Sequence, residues 1–312
     1  MNTLTLNSYA KVNLYLEVLN RRKDAYHNIK TVFERIDLAD KIILKPRFDK
    51  KINVTCNVKA VPLDNTNLAW QSAKLLQDKF NIKRGVDIKI IKRIPVGSGM
   101  GGGSSNAASV LMGLNKLWEL KLTKTMLCGL AAKLGCDVPF FVYNSPFALA
   151  GARGDKIKPL KGLDSVKFWH ILAVPKIKVS TPLIYKKWDK YLETFKLTLR
   201  PKCGILNKNN CVTALTMPRY NVNILTSALS QKDLSLIGEA LFNSLEQVTL
   251  KLYPLITAVK EKLIRMGVKP ILMSGSGPTV FGIVSSRKEA LSLYKQLKTN
   301  SSSVEVFVSR TR

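Results

Sequence analysis

The chain has 312 residues, enough for about two domains, and 46% of them are hydrophobic, which suits ordinary globular cores. Fifty Lys and Arg against 21 Asp and Glu give a formal charge of +29; this favours anionic partners, yet the lysines are spread along the chain as a compositional bias would spread them, not gathered into a basic arm. Five cysteines without a Cys-x-x-Cys pair and only two histidines argue against structural zinc, no run approaches the roughly 18 apolar residues of a membrane span, and the start, MNTLTLNSYAKVN, lacks the apolar core of a signal sequence. Reduced thiols and a bacterial cytoplasm are therefore expected, or a plastid stroma for a processed chain.

In chain order, Ala10, Val12, Leu14, Leu16 and Val18 alternate with Lys11, Asn13, Tyr15 and Glu17. That is a half-buried strand with Lys11 and Asn13 on the face away from the apolar one. Next stand Tyr26 and His27, an aromatic beside a polar donor; the pair suits the flat face and polar edge of a nucleobase, and also a plain strand edge. Residues 64–80 read as a helix that Asn65, Thr66 or Asn67 could cap, with Leu68, Leu75, Leu76 and Phe80 among its apolar positions.

A second alternating run, Val86, Ile88, Ile90 and Ile94, leads into PVGSGMGGGSSNAA, residues 95–108. Glycines 97, 99, 101, 102 and 103 permit left-handed backbone and close approach of a ligand. Ala107, Val110, Leu111, Leu114, Leu117 and Trp118 then follow helical spacing. A strand, a glycine loop and a helix start together make a phosphate cradle, because the first helical N–H groups are unpaired. No Gly-Lys-Ser/Thr follows, so the loop is not a Walker-type P-loop, and neither His-Arg-Asp nor Asp-Phe-Gly occurs, so it is not a protein-kinase loop. Gly97, Gly99 and Gly102 fit a dinucleotide fingerprint, but Glu119 falls at a helix end where that fold needs a strand end.

Thr123 opens another helix that closes at Gly135. Asp137, before Val138-Pro139, is a candidate N-cap. ALAGARGDKIKP is a turn ending the first domain, which spans 1–160; the second, 161–312, begins near Lys161. FWHILAVP is a strand with His170 as a core residue, and Thr181 is expected to cap a helix that starts at Pro182. Residues 193–221 read as a polar, basic insertion. Helices follow at 232–247 and 253–266, then a strand–turn–strand around Gly275-Ser276-Gly277, a helix at 289–297 and a last strand at 304–308. The fold class is α+β.

Five of these segments resemble, in order, those of the GHMP small-molecule kinases: Ala-Lys-Val-Asn-Leu at 10–14, Tyr-His at 26–27, the glycine loop, Thr-Pro-x-x-Tyr at 181–185 and Gly-Ser-Gly at 275–277. The form Gly-Ser-Ser-Asn-Ala-Ala is most similar to the branch acting on a cytidine diphosphate methylerythritol. The resemblance implies a ribosomal S5 domain 2-like N-terminal domain, a ferredoxin-like C-terminal domain, and transfer of a phosphoryl group from ATP to the substrate's 2-hydroxyl. It implies that Pro95, Gly97, Ser98, Gly99, Met100, Gly101, Gly102, Gly103, Ser104 and Ser105 hold the nucleotide, with Asn67 as an adenine contact or a cap. By the same resemblance Asp137, in Gly135-Cys-Asp-Val-Pro-Phe, is the general base or a cap, and Lys11 orients it. Asn13, Thr181, Gly275, Ser276 and Gly277 would lie at the substrate, and the base would sit between Tyr26 and Tyr185 with His27 at its edge. Mg²⁺ is expected to bridge the phosphates, with Ser104 and Ser105 as its candidate hydroxyls. Two features depart from the family: Ala25 stands where it has glycine, and Asp155 where it has Glu. The expected partner is a small molecule, with no nucleic acid and no membrane, and the protein a monomer or homodimer. A mevalonate- or homoserine-type kinase and a basic RNA-binding protein are the alternatives.

Overall fold

The computed structural model describes residues 3–198, 221–298 and 302–312. The chain forms two compact units: 1–13, 18–168 and 309–312 in the first, and 14–17 with 169–308 in the second. It passes from one to the other after Phe168, and its last four residues return to the first.

In the first unit, β1 (Leu4–Arg21) and β2 (His27–Arg47) lie side by side, and β4 (Gly85–Ile91) and β3 (Ile52–Cys56) extend the sheet in the order β3-β4-β2-β1. β4 runs antiparallel to the second half of β2, Lys41 opposite Ile91, and parallel to β3. The first half of β2 pairs instead with β5 (Phe147–Gly151), which forms a hairpin with β6 (Lys156–Pro159). Helices α1 (Leu68–Phe80) and α2 (Gly102–Leu117) pack together on the sheet. Ala73, Leu76, Val110, Leu111 and Leu114 meet Ile42, Leu44, Ile88 and Ile90 in one buried cluster. α3 (Lys124–Leu134) and the short α4 (Val138–Tyr143) complete the unit, and Thr123 caps α3 by accepting from the Met126 N–H.

β1 departs from the half-buried strand its alternation suggests. Lys11 and Asn13 are 4% and 2% exposed, on a face expected to be solvated. The Lys11 N–H donates to the Met100 carbonyl at 3.0 Å, which ties the glycine loop to the β1 edge, and Gly101 comes up against the Lys11 side chain, where a Cβ would stand 3.2 Å from Cγ.

The turn between β1 and β2 answers the question Ala25 raised. Its φ is 64°, so the position does take the left-handed conformation that glycine adopts without strain. Arg22 N–H donates to the Tyr26 carbonyl and Asp24 accepts from the Tyr26 N–H, which fix the turn around it. An L-residue pays about 1–2 kcal/mol there, partly offset by its stiffer unfolded chain. Ala25→Gly is expected to stabilise by about 0.5–1 kcal/mol, read as a higher urea midpoint at unchanged slope; an equal or lower midpoint would show that the turn bears no strain.

In the second unit, the strand order is β11-β7-β10-β9, from β7 (Trp169–Pro175), β9 (Ile271–Met273), β10 (Val280–Val284) and β11 (Val304–Arg310). β10 is antiparallel to both its neighbours. Helices α9 (Pro254–Arg265) and α10 (Arg287–Lys298) cover the sheet, Ile256, Val259 and Leu263 meeting Ala290, Leu293 and Leu297 in one cluster. α5 (Thr181–Thr198) runs on through the first residues of the expected insertion; the rest of that stretch, 199–220, lies outside the described residues. The helix expected at 232–247 is broken. α6 (Val222–Gln231) ends at Lys232 in the left-handed conformation, Asp233 caps α7 (Leu234–Ala240), and β8 (Phe242–Asn243) separates α7 from α8 (Glu246–Leu252). β8 pairs in parallel with Tyr15 and Leu16 of β1, the segment that clusters with this unit. Among the described residues no helix is long and apolar enough to cross a membrane.

Candidate active site

Gly97, Gly99 and Gly101 have φ values of 69°, 77° and 70°, and Gly102 and Gly103 are the first residues of α2. The run thus divides into a left-handed zigzag and a helix start. A side chain at Gly101 would be strained by its φ and crowded, its Cβ 3.0 Å from the Phe141 ring and 3.2 Å from Lys11 Cγ. With no side chain capping α2, its first N–H groups face the loop. A cleft of about 350 Å³ opens there, lined by residues 95–104 except Met100, with Val61, Pro62, Asn67 and Lys92 across from them. Asn67 is the N-cap of α1: its Oδ1 accepts from the Ala69 N–H and its Nδ2 donates to the Pro62 carbonyl.

Two residues expected at the nucleotide turn their side chains inward. Met100 is fully buried and joins the core, because a loop that lies across β1 must turn one side chain inward. Ser105 is 1% exposed; its N–H is spent on the Gly101 carbonyl and its hydroxyl accepts from Ser8, so it faces the interior of the unit. Ser104, one residue earlier, lines the cleft.

Beneath the loop lies a group that sequence reading missed. The Asp40 carboxylate is fully buried and accepts from Lys92 Nζ, from the Arg93 and Ile94 N–H groups at 2.8 and 2.9 Å, and from Asn106 Nδ2 at 2.8 Å. It ties β2 to the end of β4 and to α2, the two elements that hold the glycine loop. The Lys92 ammonium reaches the helix start, 2.9 Å from where a Cβ on Gly102 would stand.

Asp137 occupies the N-cap position of α4, but its side chain makes no capping hydrogen bond. Its carboxylate, one-third exposed, lies 3.5 Å from Lys11 Nζ. Lys11 in turn donates to Asn13 Oδ1 at 2.6 Å, Asn13 Nδ2 donates to Thr31 at 2.9 Å, and the Phe33 ring lies 5.1 Å from the ammonium. The arrangement is an accessible carboxylate beside a buried cation that is itself held on two sides. It can accept a proton from a hydroxyl while the cation offsets negative charge on the reacting oxygens.

Matches to known families cover both units. Residues 67–145 match the GHMP kinases N terminal domain, and 225–302 match the GHMP kinases C terminal domain. The 4-diphosphocytidyl-2-C-methyl-D-erythritol kinase of Geobacillus sp. (strain WCH70) is 42% identical over 297 residues, 95% of this chain and 93% of that protein. The chain belongs to the GHMP kinases. A second relative of the same name, from Gloeothece citriformis (strain PCC 7424), is 39% identical over 98% of this chain and 94% of its own. A crystal structure of 4-(cytidine 5'-diphospho)-2C-methyl-D-erythritol kinase matches with a TM-score of 0.76 at 29% identity, covering 98% of both chains. The two-domain α+β fold is thus that of the GHMP kinases.

As a kinase, the protein uses ATP. Its described residues contain no group of three or more His, Cys, Asp or Glu able to hold a metal, and Asp40, beside the loop, is saturated by its donors. The Ser98 and Ser104 hydroxyls line the cleft and could ligate a Mg²⁺ that arrives with the nucleotide.

The remaining expected residues fall in both units of the GHMP kinase. In the first, Tyr26 is 54% exposed with the Arg153 guanidinium 5.4 Å from its ring, and His27, the first residue of β2, is buried. In the second, Tyr185 is half-buried on α5, and Thr181 is the first residue of that helix rather than its cap. The Ser180 carbonyl accepts the Ile184 N–H, which puts the cap position on Ser180 and frees the Thr181 hydroxyl to meet that of Ser276 at 2.7 Å. Gly275 and Gly277 both have positive φ, and Asn243 holds their turn by donating to the Met273 and Gly275 carbonyls. His170 is buried in β7 beside Phe281, as a core residue should be.

Proposed function

We propose that this GHMP kinase transfers the γ-phosphoryl group of ATP to the 2-hydroxyl of 4-diphosphocytidyl-2-C-methyl-D-erythritol, a step of the non-mevalonate route to isoprenoid precursors. The observation that carries the acceptor is similarity over nearly the whole chain to enzymes of that name. Mevalonate- and homoserine-type kinases are less well supported: a homoserine kinase structure shares 19% identity, a likeness of fold alone.

Phosphoryl transfer asks a protein mainly for positioning and charge stabilisation. The N–H groups from Gly99 to Ser104 would hold the phosphates, and the Asn67 end of the cleft would hold the adenine. Magnesium, arriving with the nucleotide, would neutralise charge on the phosphate oxygens. Asp137 would take the proton of the acceptor hydroxyl, with Lys11 orienting it and Asn13 fixing Lys11. Tyr26 offers an exposed ring for stacking the cytosine, with His27 next to it in the chain. Thr181, Gly275, Ser276 and Gly277 are assigned to the substrate. The enzyme would work as a monomer or homodimer in a bacterial cytoplasm or plastid stroma.

The test is ATP-dependent phosphorylation of diphosphocytidyl-methylerythritol beside mevalonate and homoserine at equal concentrations. Turnover of the cytidine substrate alone is expected. Preference for either of the others would overturn the acceptor.

A further inference from the structure

Three roles are assigned in the first unit: a cradle for ATP, a base at Asp137 and a stacking ring at Tyr26. None of them accounts for the middle of the proposed acceptor. Its cytosine and its reacting hydroxyl are joined by a diphosphate, which brings about two negative charges into the site. Lys11 is committed to Asp137 and Asn13, and Arg22 to Asp24 and Asn28. A third cation lies in the turn between β5 and β6. There Arg153 stacks its guanidinium on Tyr26 and also acts on the Cys136 thiol, the residue before Asp137, where it opposes the rise that burial causes.

The turn is built firmly enough to aim this side chain. Ile29 N–H donates to the Ala152 carbonyl at 2.7 Å, and Gly154 N–H to the Gly151 carbonyl at 2.9 Å. Gly154, with φ of 101°, packs beside Ile29 and Cys136; a Cβ there would stand 3.2 Å from Ile29 Cδ1 and 4.0 Å from Cys136 Cβ. The turn therefore touches both the start of β2, which follows Tyr26, and the residue preceding Asp137. Asp155 holds Arg153 by one guanidinium nitrogen at 2.8 Å, which leaves most of the five N–H donors of the fork unused. The guanidinium is 29% exposed, so it can meet an incoming anion while Asp155 holds one side of it. A planar guanidinium suits phosphate oxygens, and a ring with a cation on one face still offers the other face to a base.

Taking the acceptor to be the cytidine diphosphate substrate assigned above, we infer that Arg153 binds its diphosphate. Arg153 thereby distinguishes a nucleoside diphosphate from a bare nucleoside and sets the span between Tyr26 and Asp137. A merely structural Arg153 would prop the Tyr26 ring and treat both ligands alike.

Calorimetric titration of the whole protein with CDP and with cytidine, without ATP, separates the two. Arg153→Met, which keeps the length of the stem, is expected to weaken CDP by about tenfold or more, the loss of one or two charge-assisted hydrogen bonds, and to leave cytidine within about twofold. Arg153→Lys is expected to recover part of the CDP affinity. In turnover, Arg153→Met should raise the acceptor KM and leave the ATP KM unchanged. Equal weakening of CDP and cytidine, or no weakening of CDP, would overturn the assignment. Wild-type protein that phosphorylates another alcohol and binds neither CDP nor cytidine would overturn the acceptor itself, and this role with it.

Discussion

Asp137→Asn is expected to fold as the parent does and to lose about 10²–10⁴-fold in kcat, the usual contribution of a general base. The sequence left two roles open for this carboxylate, and the geometry separates them. A capping side chain would accept from an N–H in the first turn of α4, and Asp137 does not. Substitution therefore removes no helix cap. What it removes is an anion 3.5 Å from Lys11 Nζ; that ammonium, 5% exposed, keeps its hydrogen bond to Asn13, so the variant should fold at some cost in stability. The amide keeps the shape and the ability to hydrogen-bond a hydroxyl but cannot take its proton. KM values for ATP and acceptor should stay within about threefold, since a base that acts in the transition state contributes little to ground-state binding. Steady-state kinetics with circular dichroism on the same preparation is the check. A folded variant with parental kcat would leave Asp137 with neither role and move the search for the base elsewhere.

What could be read from the sequence was what neighbouring residues encode. The glycine run, the alternating strands before it and the helical spacing after it announce a strand, a loop and a helix start, and all three are there, with a cleft along the loop. Asn67 and Thr123 stand immediately before apolar periodicity, and both cap their helices. Long-range contacts were not legible. Lys11 and Asn13 sit on a polar face by pattern, yet that face is covered by a loop almost 90 residues away in sequence, an intramolecular contact that alternation cannot report. Met100 and Ser105 sit inside a motif whose neighbours line the cleft, but a loop with left-handed turns at every second residue points successive side chains in different directions. The helix expected at 232–247 starts where α7 does, but its interruption at β8 was not legible, because Phe242 pairs with Tyr15 of a strand far away in sequence. Ala25 was visible as a departure, but only backbone geometry could show that its position is left-handed.

Asp40→Ala is the stability change with the largest expected effect, a loss of about 3–5 kcal/mol. A buried ion pair is weak evidence of stabilisation as such, because desolvation offsets most of its attraction. Removing one member is different: the Lys92 ammonium, 5% exposed, would remain in the interior without its anion. The Arg93 and Ile94 N–H groups and the Asn106 amide would lose their acceptor in the same step, each at a cost of about 1–3 kcal/mol if water cannot reach it. Relaxation will recover part, which is why the total is set below the sum. Asp40→Asn keeps the volume and should cost less, but its NH₂ must face either Lys92 and Asn106 or the Arg93 and Ile94 N–H groups, all donors, so it cannot be neutral. Lys92→Met with Asp40→Leu removes both charges, and should be less harmful than Asp40→Ala alone if the unpaired cation is the main cost. Chemical denaturation of the three variants tests the order. The same carboxylate holds both sides of the glycine loop, so the loss should also appear as weaker binding of a non-hydrolysable ATP analogue. Asp40→Ala with parental stability and parental affinity would mean that the loop is held by its own glycine geometry, and that the buried carboxylate is dispensable to it.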